Sequence, residues 1–208
     1  CQYLDRIVDR KTHEPSIPVE RIMEEMPFAP NRRVELTGQL AYFLYVTANN
    51  RYRIEMLDVL YPFGLQLFGG ADWPGFLTDS RLRYRYRGIL DPQTETPDLY
   101  RSASISINLR SLQGFTAPTQ RDFNVPATGG FLLSSTFNLP PGKETQTYWG
   151  GIRSKTFTSS DELVDRVFRL LSDPSQRREW TEQTKEIISE QHRYVHRVER
   201  IARFLKSS

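Results

Sequence analysis

An α/β fold built on a parallel sheet is predicted by three observations. Short apolar runs of strand length recur between residues 63 and 157. Stretches with helical periodicity alternate with them, and both ends of the chain are helical in pattern.

Taken in order, residues 1–11 (CQYLDRIVDRK) form a charged amphipathic segment. From Pro18 to about Leu60 the pattern is helical, broken at Pro27 and Pro30, where a ring without an N–H cannot sit inside a helix. Leu36, Leu40, Phe43, Leu44 and Val46 recur at helical spacing, and Ile54, Leu57, Val59 and Leu60 continue the apolar face beyond Asn49-Asn50. After Pro62 the period changes. FGLQLFGG (63–70), YRYRGIL (84–90) and SISINL (104–109) are each short enough to be buried parallel strands, and 94–103 reads as a brief crossover helix. Residues 118–127 predict a helix interrupted near Pro126, followed by a buried strand in GGFLLSS (129–135). The turn-rich 136–152 is expected to be a long loop, and RSKTF (153–157) a last weak strand. Three helices follow: one capped near Ser160, one starting at Asp173-Pro174, and one from about His192 to Phe204.

The alternation predicts a Rossmann-like sheet of about five parallel strands flanked by helices, wound right-handed, with ligands at the carboxyl ends of the strands. Those ends are the loops at Gly69-Gly70, 110–118 and 135–139, whereas Gly129 and Gly130 lie just before their strand. Residues 1–60 are expected to pack as a helical segment on a domain spanning 61–208.

The chain has 208 residues, 38% hydrophobic and 25% charged, enough to build a core. A net charge of +3 is too small for general attraction to nucleic acid or to a membrane unless the charges cluster. The single cysteine, Cys1, excludes an intrachain disulfide, a cysteine zinc site and an iron–sulfur cluster. Mean hydropathy is -0.55, and no stretch approaches the roughly 20 apolar residues of a membrane span. With neither an apolar leader nor an initial Met, the sequence reads as a cytoplasmic part of something longer.

Candidate chemistry is sparse. Gly69-Gly70 follows a strand-like run as a phosphate-approach loop would, but GxGxxG and GxxxxGK[ST] are both missing, so an ordinary turn fits equally well. QRDFNVPATGG (120–130) joins Arg121, Asp122 and Asn124 to a helix start and a double glycine. A helix N-terminus beside an arginine suits a diphosphate, while a surface Arg121–Asp122 pair with glycines that only ease packing is the plainer alternative. His192 and His196 have ligand spacing but no third partner, and no GxSxG elbow supports a nucleophilic serine. RLRYRYR (81–87) reads as a strand with tyrosines on one face and arginines on the other, rather than as a base-stacking surface.

The succession NNRYRIEMLDVL, FGLQLFGGADW, LYRSASISINLRSLQG, QRDFNVPATGGFLL, SSDELVDRVFRLLSDPSQRREW and SEQHRYVHRVERI resembles the C-terminal half of CgeB-type, spore-maturation-like glycosyltransferases, from about Asn49 to Leu205. QRDFNVPATGGFLL is its most specific part. The resemblance implies a nucleotide-sugar donor domain of a two-Rossmann-domain enzyme, whose missing N-terminal domain supplies the acceptor site. The strand-end loops and the matched motif together place the expected donor site around Gly69, Gly70, Ser111, Gln113, Arg121, Asn124, Gly129 and Gly130, with no metal and no further cofactor expected. Asn124 stands where the family usually has Asp or Glu for the donor ribose; an amide keeps the hydrogen bonding but brings no charge. A binding module that keeps the fold without turnover is the alternative.

Overall fold

The computed structural model describes residues 2–25, 37–112, 119–136 and 156–207. These fall into two compact units, one holding residues 2–25, 37–89 and 110–112, the other residues 90–109, 119–136 and 156–207.

The first unit is mainly helical. Helices α1 (Gln2–His13), α2 (Val19–Glu24) and α3 (Thr37–Asp58) bury Ile7, Val8, Val19, Ile22, Ala41, Leu44, Tyr45 and Ala48 in one cluster, which Leu112 joins. Burying an aliphatic side chain of this size is worth about 1.5–3 kcal/mol, and this packing holds the short α2 in place. Lys11 is buried beneath the α1–α2 turn, where its ammonium donates to the carbonyls of Pro15 and Ile17, each at 2.8 Å. Burial lowers its pKa, and the negative charge of Glu20 offsets only part of that. Asn49-Asn50 does not interrupt α3: the Asn49 carboxamide oxygen accepts the Leu112 N–H at 3.2 Å inside the core.

The expected strands at 63–70 and 84–90 require correction. Tyr61–Phe63 is a 3-10 turn ended by Gly64 at φ 75°, and Arg81–Arg85 is a second 3-10 turn. Only one parallel bridge, Leu67 to Tyr86, remains of the pairing, followed by the short helix α4 (Trp73–Phe76) inside the connection. The reason lies in the arginines. Arg81 forms a bidentate pair with Asp58 at 2.8 Å, Arg83 donates to the Thr78 carbonyl and Arg85 to that of Tyr61. Arg81 and Arg85 also stack on the Tyr61 ring, so the side chains tie a tight turn instead of lining a strand face.

The second unit carries the sheet. Among the described residues it has three parallel strands, β1 (Ser106–Asn108), β2 (Leu132–Ser135) and β3 (Thr156–Phe157), in the order β1-β2-β3; a sheet of five is not found. Helix α5 (Glu95–Ser102) precedes β1, and α6 (Gln120–Ala127) connects β1 to β2. β2 is central and buried along its whole length, as expected of a parallel strand covered on both faces. Phe157, Leu163, Val167 and Leu170 pack the β3–α7 side, while Trp180 stacks on Phe131 with ring centroids 6.2 Å apart.

Three helices complete this unit. α7 (Ser160–Ser172) is capped by Ser159, whose hydroxyl accepts the Glu162 N–H at 3.2 Å, one residue before the expected cap. Asp173 caps α8 (Pro174–Gln191), with Pro174 at its first position. α9 (Tyr194–Ser207) ends the described chain, so helical segments at both ends are observed.

Candidate functional site

The candidate site is built around α6. Thr119 precedes the helix in extended backbone, and Asp122 at its third position turns inward, only 4% exposed. One Asp122 carboxylate oxygen accepts the Thr119 backbone N–H at 2.6 Å and the Thr119 hydroxyl at 3.0 Å, which is the carboxylate half of a capping box. The other oxygen accepts the Ser134 hydroxyl at 2.6 Å and the Asn108 amide at 3.4 Å. The Asn108 amide also donates to the Thr119 hydroxyl at 2.9 Å.

Register explains why these groups meet. Asn108 lies opposite Ser134 in the parallel β1–β2 pair, at the carboxyl ends of both strands. A buried, hydrogen-bonded carboxylate therefore clamps the start of α6 to the edge where ligands of open parallel sheets bind. Ser135 and Thr136 follow on β2, and Thr158 and Ser159 follow β3, so the same edge is rich in hydroxyls. At the start of α7, burial pushes the Glu162 carboxyl up, but the side chain of Arg166 and the backbone and hydroxyl of Thr158 outweigh it and leave the pKa below the ordinary value.

Arg121 and Asn124 are both exposed side chains of α6, Arg121 in its first turn and Asn124 one turn on. The plainer reading of a surface Arg121–Asp122 pair is overturned by the inward-turned Asp122.

Gly129 and Gly130 end this helix. The Gly129 N–H donates to the Pro126 carbonyl at 2.9 Å and the Gly130 N–H to the Val125 carbonyl at 3.0 Å, a Schellman closure with Gly129 at φ 85°. A Cβ on Gly130 would stand 2.4 Å from the Tyr100 carbonyl oxygen, so this glycine lets α5 approach α6 and β2. Both serve backbone geometry at the end of the helix remote from its Asp122 cap.

Gly69, Gly70 and Ser111 belong to the first unit. Gly69 lies beneath the Trp73 indole, whose Nε1 and Cδ1 leave 2.5 Å for a Cβ, whereas Gly70 has open space. The Tyr86 hydroxyl is 3.0 Å from the Gly69 carbonyl oxygen and 3.3 Å from that of Gly70. The Ser111 hydroxyl is hydrogen-bonded to that of Tyr45 on α3. Gln113 lies outside the described residues. Of the expected site residues, α6 and its C-terminal turn thus bring Arg121, Asn124, Gly129 and Gly130 into one unit. Asn108 and Ser134 are additions that the sequence pattern does not single out, and Asp122, part of the QRDFNVPATGG motif, proves to be an inward cap, as its Thr119-x-x-Asp122 spacing allows.

The two histidines have local roles. His192 packs on Phe123 with centroids 5.6 Å apart, and the His196 Nδ1 accepts the Arg193 N–H at 3.2 Å. Among the described residues no cluster of three or more His, Cys, Asp or Glu side chains is placed to hold a metal ion. Nor is any described helix long and apolar enough to cross a membrane.

A parallel β1–α6–β2 unit with a polar clamp at the carboxyl edge of its strands defines a small α/β domain. Residues 51–203 match the glycosyl transferase-like family, and the chain belongs to that family. Comparison with curated proteins and with solved structures gives no match.

Proposed function

We propose that this chain is the donor-binding part of a CgeB-type glycosyltransferase with two Rossmann-like domains, the other domain supplying the acceptor site. In this reading a nucleotide sugar sits at the carboxyl edge of β1 and β2, over the start of α6. The observation that carries it is the Asp122 clamp within the family-matched segment, which fixes the α6 N-terminus and the strand edge as one rigid platform.

The chemistry asked of such a platform is positioning and charge stabilisation. As the glycosidic bond to the nucleoside diphosphate breaks, negative charge develops on the departing phosphate. In this scheme the positive end of α6 and the Arg121 guanidinium oppose that charge, while Asn124 hydrogen-bonds a ribose hydroxyl. No metal and no cofactor other than the donor enters this scheme. Gly69, Gly70, Ser111 and Gln113 are proposed as further donor contacts on the sequence pattern and the resemblance together; Gly129 and Gly130 would act through the backbone they shape.

One residue favours a second reading, a binding module without turnover. Asn124 offers the ribose an amide where the resembled enzymes offer a carboxylate, losing charge and exchanging an acceptor for a donor group. Calorimetric titration of the Asn124→Asp variant with UDP, GDP and their sugars tests the placement. Tighter binding than in the wild-type chain is expected, and an unchanged or absent response would remove Asn124 from the site. The chain by itself is expected to transfer no sugar, and turnover on a sugar acceptor by residues 1–208 would refute its division into donor and acceptor halves.

A further inference from the structure

We propose that α9 is a docking helix for membrane surfaces bearing anionic lipid headgroups. At about 100° per residue, Tyr194, Val198, Ile201 and Leu205 form one stripe along the helix, flanked by Val195 and Ala202. Their exposures are 77% for Tyr194, 63% for Val198, 60% for Ile201 and 69% for Leu205. A stripe this apolar on a water-soluble surface is costly to leave in water and marks a contact face.

The charges around the stripe select the partner. Arg193, Arg197, Arg200, Arg203 and Lys206 fall within the same stretch, against a single acidic residue, Glu199. On the helical projection Arg197 and Lys206 border the apolar stripe on its two sides, and Arg200 and Arg203 lie behind it. Arg197 already rests over the Phe123 ring at 4.7 Å and Tyr194 at 5.4 Å, so it tethers the helix to its own unit. A second copy of the helix would bring like charges side by side along the seam and is disfavoured. A surface of phosphate headgroups over acyl chains satisfies both features: the stripe enters the headgroup boundary while the basic side chains reach upward to the phosphates. The helix is about 21 Å long at 1.5 Å per residue, suited to lying in the interface and too short to span it. The inference does not rest on the donor-site reading.

The test is co-sedimentation of the full chain with phosphatidylcholine vesicles, with and without phosphatidylglycerol, at low and high salt. Expected is binding to the anionic vesicles that falls at least about tenfold at high salt, and about tenfold in Ile201→Asp and in the double variant Arg200→Glu/Arg203→Glu. Thermal unfolding of the variants should match the wild-type chain, because these three side chains are exposed. No binding to anionic vesicles, equal binding to pure phosphatidylcholine, or undiminished binding of Ile201→Asp would each overturn the proposal. So would self-association in light scattering that Ile201→Asp dissolves while the wild-type chain ignores vesicles.

Discussion

Removing the Asp122 carboxylate should unfasten the second unit. In Asp122→Ala the Thr119 N–H loses its acceptor at the helix start, a cap loss worth about 1 kcal/mol. The Ser134 hydroxyl and Asn108 amide, both nearly inaccessible to water, lose the acceptor they converge on. Leaving a buried polar group unsatisfied costs about 1–3 kcal/mol, but Asn108 keeps Thr119, and its amide stands 3.4 Å from the Ser134 oxygen. The sum is therefore about 3 kcal/mol, not the full total of every bond. At a urea slope of about 2 kcal/mol/M this moves the unfolding midpoint down by about 1.5 M, read by far-UV circular dichroism. Asp122→Asn keeps the shape and one acceptor oxygen, and should cost about half as much. If Asp122→Ala unfolded within about 0.5 kcal/mol of the wild-type chain, the clamp would not be a structural keystone and the argument built on it would fail.

Three glycines should separate by mechanism. Gly130→Ala, meeting the rigid Tyr100 carbonyl at 2.4 Å, should destabilise by about 2–3 kcal/mol, while Gly129→Ala at φ 85° should cost about 1 kcal/mol and Gly70→Ala, with open space, almost nothing. Equal effects in thermal melts would contradict these assignments. Stability should also respond to pH at two groups. Glu162 has a lowered folded pKa, so its contribution is complete above its ordinary value of 4.5 and disappears as pH falls through the lower folded value; Glu162→Gln should flatten that acid limb. Lys11 also has a lowered folded pKa, so the folded state loses its proton first and stability rises with pH between that value and 10.5; Lys11→Met should abolish the rise in denaturant titrations at alkaline pH.

Local signals were legible where a single period or cap decides the structure. The cap expected at Ser160, and Asp173 with Pro174, place the starts of α7 and α8 within a residue, because a cap and a fixed proline φ need no tertiary partner. Gly129-Gly130 was visible as a feature, but whether a double glycine admits a ligand or closes a helix depends on the Tyr100 backbone beside it. The runs at 63–70 and 84–90 misled because aromatic and apolar composition favours strands while the deciding contacts are non-local. Arg81 reaches back to Asp58 and Arg85 to Tyr61, and those bonds hold 3-10 turns. A surface pairing of Asp122 with Arg121 stays open in the sequence for the same reason. The Asp122 partners Asn108 and Ser134 come from two strands that pair only in the folded chain.

The most direct test of the donor-site account is calorimetric titration of the chain with UDP and GDP at fixed salt, alongside Arg121→Ala. The account predicts saturable binding of one nucleotide per chain, weakened in Arg121→Ala by about 1–3 kcal/mol, the scale of one charge-assisted hydrogen bond. Absence of binding by the wild-type chain, or an affinity that Arg121→Ala leaves unchanged, would contradict it.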